Sequence, residues 1–276
     1  MYDVFQADRL IDVWLHEDIG SCDLTAQLMI DENATSTFHM LAREPMFIAG
    51  INVAERVFTR YDSRLKVQTF FKDGQHANKG DKLLTVSGPA RSILTGERSA
   101  LNILQRLCGI ATETARYAQE IEGTTARLLD TRKTTPGLRM LEKHAVTCGG
   151  GLNHRLGLDN GVMLKDNHIA IAGGIEKAVE RVRKHLPVLT KIEVECDRLD
   201  QVAQALAAGA DVIMLDNMSL EDMRTAVKTI NGAAKVEASG GISIATIRQV
   251  ALTGVDYIST SKITQAAPAV DIGLDE

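Results

Sequence analysis

Strand-length and helix-length segments alternate from about residue 110 to the end of this 276-residue chain, and this regularity constrains its fold most strongly. Short apolar runs, several of them rich in β-branched residues, are separated by helical stretches. The runs are Arg127–Asp130, Val162–Lys165, Lys191–Glu195, Asp211–Asp216, Lys235–Ala238 and Tyr257–Thr260, with helices predicted at 138–148, 174–185, 199–208, 219–230 and 243–252. Repeated strand–helix units of this length predict a parallel sheet with crossover helices.

A polar or charged residue lies at the end of each apolar run. These residues are Asp130, Lys165, Glu195, Asp216, Ser239 and Ser259. In an α/β barrel the carboxyl ends of all strands surround one site, whereas a doubly wound sheet binds ligands where its strand order reverses. The pattern therefore favours a barrel, and we predict an incomplete one because eight strand–helix units cannot be counted. No GxGxxG segment follows the first strand to support a dinucleotide-binding fold.

The first part of the chain mixes elements without this alternation. Helices are predicted at 7–17, 51–60 and 90–107, and strands at 34–43, 64–71 and 82–87. Such a mixture is typical of an α+β domain. We predict an N-terminal domain over residues 1–109 and a barrel over residues 110–276, whose last residues can return to the first domain.

Charge and cysteine usage restrict the partners and the compartment. The net charge of −5 gives the protein no overall attraction for nucleic acid or for an anionic membrane. No apolar run reaches the roughly 18 residues of a membrane helix, and the acidic N-terminus does not resemble a signal peptide. The cysteines show neither CxxC pairs nor zinc-ligand spacing, which predicts reduced thiols and a cytoplasmic protein.

The stretch from Arg132 to Lys165 carries a net charge opposite in sign to that of the whole chain. It holds six Lys or Arg and two acids, a net of 6 − 2 = +4. Arg132 and Lys133 share a loop with three threonine hydroxyls, a combination that can receive carboxylate or phosphate. His154 and Arg155 follow three glycines, which let the backbone approach a ligand. A solvated loop and an ordinary glycine turn are the alternatives.

Lys165 and the later strand ends leave more than one interpretation open. A lysine that ends a buried strand can bind an anion, form a Schiff base or pair with a neighbouring carboxylate. Glu195 and Asp216 can hold Mg²⁺ or ribose hydroxyls, or pair with Lys165. His154 and His168 match no familiar metal-ligand spacing.

A segment of small residues opens the helix after the fifth run. Ser239, Gly240 and Gly241 expose backbone N–H groups at a helix start, where a phosphate fits. A tight turn without a ligand is the alternative.

These segments together resemble the quinolinate phosphoribosyltransferase family. The resemblance is carried by Asp130–Thr134, Gly149–Arg155, Leu164–His168, Glu193–Glu195, Ile213–Asn217 and Glu237–Gly241, and upstream by Glu17–Gly20, Asp23–Thr25 and Gly96–Asn102. It implies an N-terminal α/β sandwich domain, an incomplete parallel α/β barrel, and a homodimer or multiple of dimers in which one subunit's N-terminal domain covers the partner's barrel mouth.

The resemblance also implies an activity and a set of site residues. The activity joins quinolinate to phosphoribosyl pyrophosphate with loss of CO2, giving nicotinate mononucleotide and pyrophosphate for NAD biosynthesis. Quinolinate would be bound by Arg132, His154, Arg155 and Lys165 with Arg98 from the partner subunit, the pyrophosphate by Lys133, the ribose by Glu195 and Asp216, and the 5-phosphate by Ser239, Gly240, Gly241 and Ser261. Catalysis would rest on Lys133, Lys165, Glu195 and Asp216, and Mg²⁺ would be held mainly through the pyrophosphate.

The chain departs from the family pattern after the last run. Ser261 stands where a glycine is usual, and Gln265 where a basic side chain often lies; Lys262 can supply a replacement charge. Three alternatives to the implied activity are a family paralogue acting on another acidic heterocycle, such as the molybdenum-linked paralogues, a Schiff-base aldolase using Lys165, and a non-catalytic sensor of phosphate ligands.

Overall fold

A computed structural model describes residues 2–276 and separates them into two compact units. Unit 1 holds the chain up to Ala115, Thr135–Gly150 and Ala266–Glu276, and unit 2 holds Arg116–Thr134 and Gly151–Gln265. The units differ from the predicted ranges of 1–109 and 110–276, because the chain passes between them four times.

Helices and strands account for most of the described residues. In chain order they are α1 (Val4–Ile19), α2 (Leu24–Met29), β1 (Thr35–Ala42), β2 (Met46–Phe47), α3 (Ile51–Tyr61), β3 (Lys66–Thr69), β4 (His76–Ala77), β5 (Lys82–Pro89), α4 (Ala90–Glu120), β6 (Arg127–Leu129), α5 (Arg139–Cys148), β7 (Val162–Leu164), α6 (Asp166–Ala172), α7 (Ile175–Arg183), β8 (Ile192–Cys196), α8 (Leu199–Ala207), β9 (Val212–Asp216), α9 (Leu220–Ile230), β10 (Lys235–Ser239), α10 (Ile247–Ala251), β11 (Tyr257–Ser259) and β12 (Ile272–Asp275). None of the helices among residues 2–276 is long and apolar enough to cross a membrane.

Unit 1 is built on a four-stranded antiparallel sheet of order β12-β1-β5-β3. The last strand, β12, pairs with β1, and this pairing brings the end of the chain into the unit. Helix α1 begins after Asp3, whose carboxylate accepts the N–H of Phe5, and it buries Ala7, Ile11 and Leu15 at four-residue spacing. Residue 149 must be a glycine, since a Cβ there would lie 2.2 Å from the carbonyl oxygen of Ala111 in α4.

Unit 2 is an incomplete parallel barrel. Its six strands follow the order β6-β11-β10-β9-β8-β7, so strands adjacent in sequence are adjacent in space and the first lies beside the last. The barrel is not closed between β6 and β7. The bridge at this opening is a single parallel one, which joins Leu129 of β6 to Leu152. The predicted fold class, an N-terminal α/β domain plus an incomplete parallel α/β barrel, is confirmed.

Several predicted elements differ in extent. The helix predicted at 90–107 continues as α4 to Glu120, because Gly109 does not adopt the positive φ of a helix cap and lies within the helix. Helix α10 is shorter than the helix predicted at 243–252. A turn precedes it, in which Thr246 Oγ1 accepts a hydrogen bond from the N–H of Ser243. Helix α6 was not predicted, and its short length gives little periodic signal.

Candidate active site

The carboxyl ends of the barrel strands surround a pocket of about 630 Å³ in unit 2. All six predicted strand-end residues line it, which are Asp130, Lys165, Glu195, Asp216, Ser239 and Ser259. This convergence follows from the geometry of a parallel barrel, in which every strand delivers its last residue to the same rim. The six side chains therefore converge on one pocket, as the barrel geometry predicts.

Most of the residues implied by the family resemblance also line this pocket. They are Arg132, Lys133, His154, Arg155, Lys165, Glu195, Asp216, Ser239, Gly240, Gly241 and Ser261. Arg98 does not line it and lies exposed on α4 in unit 1. Of the six cations between residues 132 and 165, Arg139 and Lys143 are not among the lining residues, whereas Lys262 adds a cation from the loop after β11. Five cationic side chains therefore face one space.

Lys165 forms an ion pair at the pocket wall. It directly follows β7, and its Nζ donates to Glu195 Oε2 near the end of β8 over 2.5 Å. The backbone N–H of Lys165 donates to His168 Nδ1, which fixes the start of α6. Lys165 therefore pairs with a strand-end carboxylate, the structural alternative weighed from the sequence, while it still faces the pocket.

The loop after β9 meets the loop after β10 in close backbone contact. Asp216 Oδ2 accepts a hydrogen bond from Asn217 Nδ2 at 2.8 Å, and the N–H of Asn217 donates to Ser239 O at 3.0 Å. Asn217 has a positive φ of 55°, a conformation that asparagine tolerates. A Cβ at Gly240 would lie 2.2 Å from Asn217 Oδ1, so only glycine fits there.

A histidine and two buried carboxylates form a cluster beside the pocket, and two of them, His154 and Glu237, line it. His154 Nε2 lies 2.9 Å from Glu193 Oε2 and 3.5 Å from Glu237 Oε2. The N–H of Arg155 donates to His154 Nδ1 at 2.8 Å, which places the imidazole proton on Nε2. Asp130 Oδ1 accepts the N–H of His154 and holds this loop against β6. Both ring nitrogens of His154 are thus engaged by protein groups.

Glu193 and Glu237 were not predicted as site residues. They are 6% and 1% exposed, and Oε1 of each has no hydrogen-bond partner among the described residues. Burial, reinforced by the charge of Glu193, raises the pKa of Glu237 well above its usual range, against the opposing effects of His154 and Ser259. Glu237 therefore retains a proton at pH values where an exposed glutamate is ionised.

The charge of one cation in the pocket also shifts the pKa of another. Burial and then the charge of Arg132 lower the pKa of the Arg155 guanidinium, and Glu193 offsets part of the shift. Two neighbouring guanidinium groups of like charge are stabilised by an anion that bridges them. The pair is thus prepared to receive a carboxylate or a phosphate.

Replacement of Glu237 by glutamine is expected to change the pH dependence of stability. A carboxyl whose folded pKa is raised binds more protons in the folded state, so it lowers the free energy of unfolding as the pH rises above 4.5. Glutamine imitates the protonated acid and removes this loss. The Tm of Glu237→Gln minus that of the wild type should therefore increase between about pH 5 and pH 8 in thermal melts.

A matched control is Glu221→Gln on the exposed side of α9. Its Tm difference should stay constant over the same pH range, because the side chain is in contact with solvent in both the folded and the unfolded protein. A flat difference for Glu237→Gln would show that Glu237 is already ionised in the folded protein.

The fold and the pocket together define a class. A parallel α/β barrel whose mouth gathers five cations, several carboxylates and a small-residue loop is suited to binding polyanionic small molecules. The models of the two quinolinate phosphoribosyl transferase domains match residues 23–108 (N-terminal) and 110–275 (C-terminal). The chain belongs to the quinolinate phosphoribosyltransferase family, and its members are enzymes that transfer a phosphoribosyl group.

Individual relatives agree with this assignment. A probable nicotinate-nucleotide pyrophosphorylase [carboxylating] of Synechocystis is 44% identical over 97% of this chain and 91% of its own length. The protein of the same name from Bacillus subtilis is 40% identical over 98% and 93%. The crystal structure of the Streptococcus pyogenes protein NadC has a TM-score of 0.96 and 40% identity, covering 100% of this chain and 98% of that one. A Schiff-base aldolase and a non-catalytic sensor are not supported.

Proposed function

We propose that the pocket of unit 2 transfers the phosphoribosyl group of phosphoribosyl pyrophosphate to quinolinate and releases pyrophosphate, CO2 and nicotinate mononucleotide. The observation that carries the proposal is the convergence of Arg132, Lys133, Arg155, Lys165 and Lys262 on one pocket of a protein whose net charge is −5. One dicarboxylate and one diphosphate ester together supply the negative charge that these cations match.

The two carboxylates of quinolinate are assigned to the wall that carries Arg132, Arg155 and Lys165. Arg132 and Arg155 lie close enough for their charges to interact, and a bridging carboxylate relieves their repulsion. His154 supports this wall chiefly by orienting Arg155, since its Nδ1 accepts the N–H of that residue. Arg98 is assigned to the pocket of a partner subunit in a homodimer, which its exposure on α4 permits.

The phosphoribosyl pyrophosphate is assigned to the opposite loops. Gly240 and Gly241 have φ values of 91° and 64°, and successive backbones of this kind expose N–H groups to an anion. The 5-phosphate is placed at Ser239, these two glycines and Ser261, with Lys262 in place of the usual basic residue at Gln265. Gln265 itself is exposed, and its N–H donates to Ser261 O at 2.9 Å. Lys133 is assigned to the pyrophosphate.

Mg²⁺ fits the donor set of this pocket. Asp216 and Glu195 offer carboxylate oxygens at adjacent strand ends, and Mg²⁺ prefers such oxygens together with substrate phosphates and water. When bound, the ion neutralises charge on the departing pyrophosphate. The Lys165 ammonium limits the role of Glu195, because it occupies Glu195 Oε2. Asp216 is therefore the stronger candidate ligand.

The reaction needs no protein nucleophile. The ring nitrogen of quinolinate bonds to C1 of the ribose while the bond from C1 to the pyrophosphate oxygen breaks, and cationic groups stabilise the departing charge. The ring nitrogen is then positively charged, which favours breaking of the bond to the adjacent carboxylate. CO2 leaves, its bonding electron pair remains on the ring carbon, and that carbon takes up one proton. Transfer and decarboxylation are thus chemically linked.

The test is conversion of quinolinate and phosphoribosyl pyrophosphate to nicotinate mononucleotide in the presence of Mg²⁺. Quinolinate labelled with ¹³C in the carboxylate next to the ring nitrogen should release ¹³CO2 in a ratio of one to each mononucleotide. Nicotinate as sole acceptor is the control and should give no product. Absence of product from folded protein, or preference for nicotinate or another acidic heterocycle, contradicts the proposal.

A further inference from the structure

Three metal-ligating side chains meet in unit 1, and none of them lines the pocket of unit 2. His144 and Cys148 are four residues apart on α5, so they project from the same face of the helix. Asp73 lies in the turn between β3 and β4. Their ligand atoms all lie within 4.8 Å of one another. An imidazole, a thiol and a carboxylate thus converge from two separate segments.

The distances are close to those of a tetrahedral zinc centre. Zinc bonds of about 2.0 Å to nitrogen and oxygen and 2.3 Å to sulfur place the ligand atoms about 3.3–3.7 Å apart. Cys148 Sγ lies 3.5 Å from His144 Nε2, within this range. Asp73 Oδ2 lies 2.6 Å from the same nitrogen, because a proton is held between them. An ion that binds Nε2 requires the imidazole proton to move to Nδ1 and the two atoms to separate by less than about 1 Å.

The carboxylate is held in place independently of the histidine. Asp73 Oδ1 accepts the N–H of Ile51 at 3.1 Å. Burial would raise the pKa of Asp73, but hydrogen bonds from His144 and from the N–H groups of Ile51 and Gly50 outweigh it and lower the pKa. The side chains of Asp73 and His144 remain 17% and 15% exposed, so an ion can enter from solvent.

The thiol is protonated before any ion enters. Burial and then the charge of Asp73 raise the pKa of Cys148 to about 12. A divalent ion reverses this effect, because it bonds to the thiolate and the thiol proton passes to solvent. Carboxylate and thiolate together neutralise the two positive charges of the ion. Nitrogen, oxygen and sulfur in one site are a donor set that zinc accepts readily.

We propose that Asp73, His144 and Cys148 form a binding site for Zn²⁺, with water as the fourth ligand. The ion would join the β3–β4 turn to α5 within unit 1. This site is separate from the Mg²⁺ chemistry assigned to the pocket, and its ligands differ in kind from the all-oxygen set there.

The experiment is a titration of the full-length protein with Zn²⁺ against a chromophoric competitor, with Mg²⁺ in excess to occupy the oxygen sites. The wild type should bind one equivalent, and Cys148→Ala should bind it about 100-fold more weakly. Cys22→Ala is the matched control, since Cys22 is also a half-buried free thiol, and it should bind as the wild type does. Co²⁺ should give a thiolate-to-metal charge-transfer band that disappears only in Cys148→Ala.

A second variant guards against misfolding of the first. Asp73→Asn keeps the side-chain size but removes the charge, and it should weaken Zn²⁺ binding about 10-fold while retaining the sulfur band. Equal Zn²⁺ affinity in the wild type and either variant, or a Co²⁺ spectrum without the sulfur band, overturns the proposal. These readouts do not depend on transferase activity.

Discussion

Replacement of Lys165 by alanine is expected to lower kcat/KM for quinolinate about 1,000-fold, within the range seen when a preorganised charged group is removed from an active site. The variant loses one ammonium from the pocket and leaves the carboxylate of Glu195, otherwise held at 2.5 Å, without its partner. An unpaired carboxylate repels a dianionic substrate and a departing pyrophosphate. The measurement is steady-state formation of nicotinate mononucleotide, with circular dichroism to verify folding.

Lys184→Ala is the matched control for this loss of charge. Lys184, which directly follows α7, also pairs with a glutamate, Glu180, at 2.8 Å, but both side chains are more than 60% exposed. An exposed pair of this kind contributes about 0.5 kcal/mol or less, and its loss should leave kcat/KM unchanged. If Lys165→Ala retains activity within 10-fold of the wild type, the assignment of Lys165 to the carboxylate-binding wall is wrong.

Gly240→Ala is expected to weaken the binding of phosphoribosyl pyrophosphate about 100-fold and to destabilise the fold by several kcal/mol. The new Cβ would lie 2.2 Å from Asn217 Oδ1 and 2.8 Å from the backbone nitrogen of Asn217. Relief of this steric clash requires the loop after β10 to move. The same loop supplies the N–H groups that are assigned to the 5-phosphate. Thermal melts and isothermal titration with phosphoribosyl pyrophosphate measure the two effects.

Gly232→Ala separates the close approach from the backbone conformation. Gly232 has a φ of 78°, similar in sign and size to the 91° of Gly240, but a Cβ there meets no atom within 4 Å. Its substitution should cost only the positive-φ penalty of about 1–2 kcal/mol and leave substrate binding intact. If both variants lose the same amount of Tm, the close contact between the new Cβ at residue 240 and Asn217 does not contribute to the loss of stability.

The strand-end residues could be predicted from the sequence because a single rule connects them. Asp130, Lys165 and Asp216 each end a short apolar run, and a parallel barrel brings every such end to one rim. The family resemblance then supplied roles that residue chemistry alone left open, such as the choice between a salt bridge and a nucleophile for Lys165. Their arrival in one pocket needed no knowledge of tertiary contacts.

The buried acids could not be predicted in the same way. Glu193 lies two residues before Glu195 on β8, so both point to the same side of the strand, but only Glu195 lies near its carboxyl end. The contact of Glu193 with His154 joins residues 39 positions apart through a glycine-rich loop of no regular periodicity. The only indication of a role for Glu193 in the sequence was an acid within an otherwise apolar strand. The sequence did not indicate that His154 is its partner.

The pairing of β12 with β1 has a consequence for synthesis on the ribosome. The antiparallel sheet places residues 272–275 beside residues 39–42, which are translated more than 200 residues earlier. Until β12 has emerged from the ribosome, β1 has one unpaired edge, and such edges attract other chains. Completion of the sheet of unit 1 therefore requires β12, which is translated after all six barrel strands.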